Sequence, residues 1–110
     1  MEKILIIDDD LHNRFLLKLV LEKEGYTILE ADTGEKGIEI TYEKKPDVVL
    51  LDVMMPDING FEVFEKIKNT QIPVIFLTAL EEKDIKDNVD FIQKPIDINL
   101  LIKKIKEKLK

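Results

Sequence analysis

The chain has 110 residues, 45% of them hydrophobic and 36% charged, and a formal net charge of −6. That length suits a single domain over residues 1–110, and the acidic balance argues against general nucleic-acid binding, which calls for a basic face. With no cysteine there is neither a disulfide framework nor a thiolate metal site, and a reducing intracellular compartment is compatible. The first apolar run, Lys3–Ile7, leads directly into three aspartates, so the N-terminus does not read as a signal peptide. Residues 11–24 follow with helical spacing, placing Leu16, Leu17, Val20 and Leu21 on one face before Gly25. Thr27–Ala31 is a more polar strand and suits a sheet edge. Residues 34–44 predict a second helix ended by Pro46, although Gly37 inside it costs about 1 kcal/mol against alanine.

Val48–Leu51 is the next apolar run and stops at Asp52. A loop holding Met54, Pro56 and Gly60 separates it from a helix over 60–69, striped by Val63, Phe64 and Ile67. Val74–Leu77 is a fourth strand, ending at Thr78, and Asp90–Gln93 a fifth, ending at Lys94 and Pro95. A last helix over 97–109 carries Ile98, Leu101, Ile102, Ile105 and Leu109 on one stripe. Its lysines gather toward the C-terminus, where they suit the helix dipole. None of the apolar runs is long enough to span a bilayer, so no membrane partner is expected. Continuous rather than alternating apolarity means strands covered on both faces. Strand and helix alternating along the chain predicts a doubly wound, three-layer α/β domain with a parallel sheet.

Ligands of such sheets bind beyond the carboxyl ends of the strands. Those ends carry Asp8, Asp9 and Asp10, then Asp52, then Thr78, then Lys94. If the first and third strands are neighbours, Asp8, Asp9 and Asp52 converge, and like charges so close need a proton or a cation to relieve them. Carboxylate oxygens without histidine or cysteine suit a hard divalent ion, Mg²⁺ above all. Asp52 then reads as a carboxylate nucleophile that takes a phosphoryl group as an acyl phosphate. Lys94 would offset charge on the transferring oxygens and Thr78 would bond one of them. Asp10 reads as an N-terminal helix acid, Asp57 as a turn residue before Asn59–Gly60, and His12 as an exposed first-turn residue. The lysine stripe from Lys103 to Lys110 reads as a solvated face, with docking to an acidic partner as the weaker alternative.

The stretches "ILIIDDD", "VVLLDVMMPDINGFE", "PVIFLTA" and "DFIQKP", in that order, resemble the receiver domains of two-component response regulators over essentially the whole chain. The resemblance implies a flavodoxin-like five-stranded parallel sheet of order 2-1-3-4-5 with helices on both faces, and a cytoplasmic signalling module rather than a conventional enzyme. It implies that Asp52 is the phosphoacceptor, loaded by a histidine kinase or histidine phosphotransfer protein, with the message read by a downstream protein target. It makes Asp8 and Asp9 the acidic pair for Mg²⁺, Asp9 as the direct ligand, with Asp52 and the backbone carbonyl of Met54 completing the protein's share. Thr78 becomes the switch hydroxyl, Phe91 the switch aromatic, and Lys94 the lysine of the site, with a cis bond to Pro95. Only fifteen residues, Ala79–Gln93, separate Thr78 from Lys94, which predicts a shortened or irregular fourth helix there. "EEKDIKDN" holds one apolar residue, Ile85, and the segment over 79–90 is expected to be mobile.

Two other functions fit parts of this pattern. A receiver-like scaffold that never takes phosphate would need only the fold. A phosphatase of the haloacid-dehalogenase type also uses an aspartate after a strand with Mg²⁺ and a lysine. It commonly needs a second acid two residues after the nucleophile, where this chain has Met54. Met54 and Leu80, two residues after Asp52 and Thr78, are both apolar. Neither can orient an attacking water, so a long-lived phosphoryl form is expected.

Overall fold

Three apolar runs and two more polar ones form the strands, and an amphipathic segment follows most of them. The computed structural model describes residues 1–81, 84–85 and 89–110. In chain order the elements are β1 (Lys3–Ile7), α1 (Leu11–Lys23), β2 (Thr27–Ala31), α2 (Gly34–Lys44), β3 (Val48–Asp52) and α3 (Gly60–Ile67). A short 3₁₀ turn over Lys68–Thr70 extends α3, and β4 (Val74–Thr78), β5 (Asp90–Gln93) and α4 (Ile98–Lys108) complete the chain. The strands form one sheet in the order β2-β1-β3-β4-β5, and every pairing is parallel. This is the doubly wound arrangement expected of the sequence.

The three central strands are buried along nearly their whole length, whereas the edge strand β2 is more open, with Thr27 and Glu30 exposed and only Ala31 buried. Alternate residues of each central strand feed two separate cores. Ile4, Ile6, Leu50 and Ile75 pack with Leu17 and Leu21 of α1 and Leu101 and Ile105 of α4. Leu5, Ile7, Leu51 and Phe76 pack with Val63 and Ile67 of α3 on the other face. Phe76 also meets Phe61 and Phe64, ring centroids 5.2 and 5.6 Å away. The glycine inside α2 has a packing reason. A Cβ at Gly37 would lie 2.4 Å from Ile7 Cδ1, so glycine lets α2 press onto β1.

Side chains at the helix starts satisfy the free backbone N–H groups. Asp10 accepts from His12 N and Asn13 N at 2.8 and 3.3 Å, Asn59 from Glu62 N at 3.0 Å, and Asp97 from Leu100 N at 3.2 Å. Two expectations need correction. Leu16 is not on the buried face of α1: it is 55% exposed, and only Leu17 and Leu21 are fully buried there. Residues spaced by four share a face, and Leu16 sits a hundred-degree step off that row. Strands β3 and β4 each run one residue further than expected, so Asp52 and Thr78 are themselves strand residues, paired with Leu77 and Gln93. Among the described residues, no α-helix lies between β4 and β5, in keeping with the expected shortened or irregular fourth helix. Asp84 N donates to Glu81 O at 2.9 Å there. Residues 82–83 and 86–88, on which the expected mobility of that segment falls, lie outside the described residues.

Candidate functional site

β1 and β3 are adjacent and in register, so the residues leaving their carboxyl ends meet. Asp8, just past β1, is fully buried, and Asp52, the last residue of β3, is 4% exposed. Asp9 faces solvent beside them, and one carboxylate oxygen from each of the three lies within 4.8 Å of the others. The Lys94 ammonium stands 3.4 Å from Asp52 Oδ1 and 3.8 Å from Asp8 Oδ2. An open cavity of about 230 Å³ is bounded by these groups with Asp10, Asn13, Met54 and Ala79.

The two buried carboxylates are oriented by nearby backbone. Asp10 N donates to Asp8 Oδ1 at 2.9 Å, and Met54 N donates to Asp52 Oδ1 at 3.3 Å. Asp8 Oδ2 is buried and accepts no hydrogen bond. Burial pushes the Asp8 carboxyl up to about 6, against the Asp10 N–H, which lowers it. The Asp52 charge raises it further, Lys94 offsets part of that, and Asp9 adds a smaller rise. A buried acceptor without a donor is costly. Here it faces two more carboxylates, and the donor set is oxygen only. That combination fits Mg²⁺, which takes carboxylates and keeps water ligands.

Thr78 is buried at the end of β4, its Oγ1 accepting from Leu80 N at 3.0 Å. The backbone ladder continues past the end of β5: Lys94 N donates to Thr78 O at 2.7 Å. Phe91 is half-buried against the Phe76 core and sits opposite Phe76 in the sheet register. Lys94–Pro95 is a cis bond. The sheet thus brings Asp8, Asp9, Asp52, Thr78 and Lys94 to one rim, while Phe91 lies back in the body of β5. The Met54 side chain is 67% exposed.

Several supporting residues escaped the sequence reading. Asp57 is more than a turn residue: its two oxygens accept from Gly34 N and Glu35 N, each at 3.1 Å, tying the β3–α3 loop to the start of α2. Burial alone would raise its carboxyl, but these backbone donors outweigh it and hold the group below the usual range. Arg14 donates from Nη1 to Asp8 O at 2.7 Å and braces the acidic turn from α1. Gly60 lies so close beneath Asp52 that a Cβ would come 2.4 Å from Asp52 O. Gln93 donates from Nε2 to Leu80 O at 2.9 Å. Only the glycine had a sequence signal, since "NG" before a helical stripe marks a constrained turn.

The response regulator receiver domain model matches residues 4–106. PilH of Pseudomonas aeruginosa is 35% identical over 117 residues, an alignment covering 96% of this chain and 95% of that protein. The transcriptional regulatory protein AfsQ1 of Streptomyces coelicolor is 37% identical over 118 residues, and the chain spans about half of it (52%). Among solved structures, the receiver domain of the hybrid histidine kinase CckA superposes with a TM-score of 0.87 at 32% identity, covering 98% of this chain and 99% of that one. Chemotaxis protein CheY4 of Vibrio cholerae reaches a TM-score of 0.90 over 99% of both chains, but at 24% identity it speaks for the fold alone. Receiver domains are signalling modules, not conventional enzymes, and they bind Mg²⁺ at an acidic pocket of the kind the three aspartates form here. Matched along nearly its whole length, this chain belongs to the response regulator receiver domain family of two-component signalling.

Proposed function

We propose that Asp52 accepts a phosphoryl group, that Asp8, Asp9, Asp52 and the Met54 carbonyl hold Mg²⁺, and that Lys94 and Thr78 serve the transfer. The observation that carries this reading is the buried Asp8 Oδ2, which accepts no hydrogen bond, beside Asp52, with the Lys94 ammonium between them. In the forward step an Asp52 carboxylate oxygen forms a bond to phosphorus as the phosphorus–nitrogen bond of a phosphohistidine breaks. The leaving imidazole keeps the electron pair and takes a proton. Lys94, already 3.4 Å from Asp52 Oδ1, offsets negative charge on the transferring oxygens. Thr78 then donates its hydroxyl to one of those oxygens, and Phe91 follows the altered loop as the switch aromatic. Bound Mg²⁺ would supply further positive charge to the phosphoryl oxygens. The strand end holds the nucleophile still, so little ordering remains to be done on encounter.

The donor is a histidine kinase or a phosphotransfer protein. Leu11, Phe15, Leu16 and Leu19 of α1 are all well exposed, more apolar surface than a solvated helix carries without use. A groove of about 250 Å³ joins this face to the site, lined by Leu16, Ile96 and Ile98 and reaching Asp8 and Lys94. An apolar helix face on the donor could seat there with its histidine toward Asp52. Among the described residues, no helix is long and apolar enough to cross a membrane. The phosphorylated surface then acts on a downstream protein.

Incubation with acetyl phosphate and Mg²⁺ followed by intact mass measurement tests the assignment. One added phosphoryl group in the wild type, absent in Asp52→Ala, is the expected result. No gain in the wild type would favour a scaffold that is never phosphorylated.

A further inference from the structure

The switch hydroxyl is engaged before any phosphoryl group arrives. Thr78 Oγ1 accepts from Leu80 N at 3.0 Å, and the other end of the same residue is held as well, because Gln93 Nε2 donates to Leu80 O at 2.9 Å. β4 and β5 set this up: Thr78 lies directly opposite Gln93 in the sheet register, and Lys94 N donates to Thr78 O at 2.7 Å. Leu80 is thereby held from both sides, by Thr78 on its N–H and by Gln93 on its carbonyl. We propose that Gln93 is a positioning residue that latches the loop after β4 in the resting state and so sets how readily Thr78 turns toward a phosphoryl group on Asp52.

The reasoning is a matter of which state owns each bond, and it rests on the reading of Asp52 and Thr78 given above. When Thr78 swings toward an anion on Asp52, Leu80 N–H must follow or lose its acceptor. Following is what Gln93 resists, since its carboxamide holds the Leu80 carbonyl where it lies. A contact made only in the resting state lowers the apparent affinity of any ligand that needs the other state, in proportion to the population it removes. Gln93 is exposed, and a hydrogen bond of this kind has a modest net effect. Its removal should therefore change the balance about threefold to tenfold. A side chain of the neighbouring strand thus restrains the start of the loop at Leu80.

The test uses beryllium trifluoride anion, a phosphoryl mimic, with Mg²⁺ and the full chain. Gln93→Met keeps the length and removes the donor without adding charge. The variant should bind the mimic about threefold to tenfold more tightly than wild type, with unchanged Mg²⁺ affinity and faster amide exchange at Leu80 in the absence of the mimic. A merely structural role would lower the melting temperature and weaken binding, the opposite direction. Equal or weaker binding by the variant, with a wild type that binds, overturns the latch alone. A wild type that fails to bind the mimic overturns the reading of Asp52 and the latch with it.

Discussion

Asp8→Asn should make the metal-free protein more stable at neutral pH, although it removes a site residue. The carboxyl of Asp8 sits at about 6 in the folded chain, raised from 3.8 mainly by burial. An acid raised on folding binds its proton more tightly in the folded state. Its penalty is absent below about pH 4, grows between pH 4 and 6, and is complete above 6. Two units at 1.36 kcal/mol each set a ceiling near 3 kcal/mol, and local relaxation around the charge brings the expected value to about 1–2 kcal/mol. Asparagine keeps the acceptor that bonds Asp10 N at 2.9 Å and carries no charge. In EDTA at pH 7.5 its melting temperature should rise by about 4–8 °C. Mg²⁺ should stabilise the wild type at pH 7.5, much less at pH 5, and the variant hardly at all. Thermal unfolding followed by circular dichroism at both pH values, with and without Mg²⁺, gives all four comparisons. A metal-free Asp8→Asn protein less stable than wild type at pH 7.5, or an equal Mg²⁺ effect at both pH values, would refute the argument.

Gly60→Ala places a methyl 2.4 Å from the Asp52 carbonyl oxygen, against backbone that cannot step aside. It should cost about 2 kcal/mol in urea unfolding and slow phosphorylation by acetyl phosphate together, because the displaced atom belongs to the nucleophile's own residue. Asp57→Ala should cost about 1 kcal/mol, the usual loss for a missing helix-start acceptor. In the wild type that contribution persists down to about pH 4 and fades only below it, since the carboxyl is held under 3.8. The phosphorylated protein should persist for minutes or longer with Mg²⁺ present, because Met54 and Leu80 offer no group to steer water. A decay within seconds, followed by mass or by radiolabel, contradicts that expectation.

The fold was legible because its signals are local. Runs such as Val48–Leu51 are too uniformly apolar for a half-exposed sheet, and each stops at a polar residue: an aspartate, a second aspartate, then a threonine. Convergence of Asp8, Asp9 and Asp52 followed from one further assumption, that the first and third strands touch. Leu16 misled because α1 carries more leucines than one buried stripe can use, and spacing alone does not say which row faces in. Asp57 and Gln93 were invisible for a different reason. Both act on backbone far away in the chain, Gly34 and Leu80 respectively, and nothing in a linear pattern records which carbonyl or N–H a side chain will reach after folding. The strand ends at Asp52 and Thr78 were read one residue short because pairing with Leu77 and Gln93, not apolarity, carries the ladder onward.

The bond from Lys94 N to Thr78 O couples two groups usually considered one at a time. The ammonium and the hydroxyl hang from opposite ends of a single crossbar between neighbouring strands. A change that tilts the tip of β5 will therefore drag the hydroxyl along with the positive charge. Retuning such a site by shifting one arm alone would first require cutting that crossbar, and a proline in place of Lys94 would do so only by discarding the cation as well.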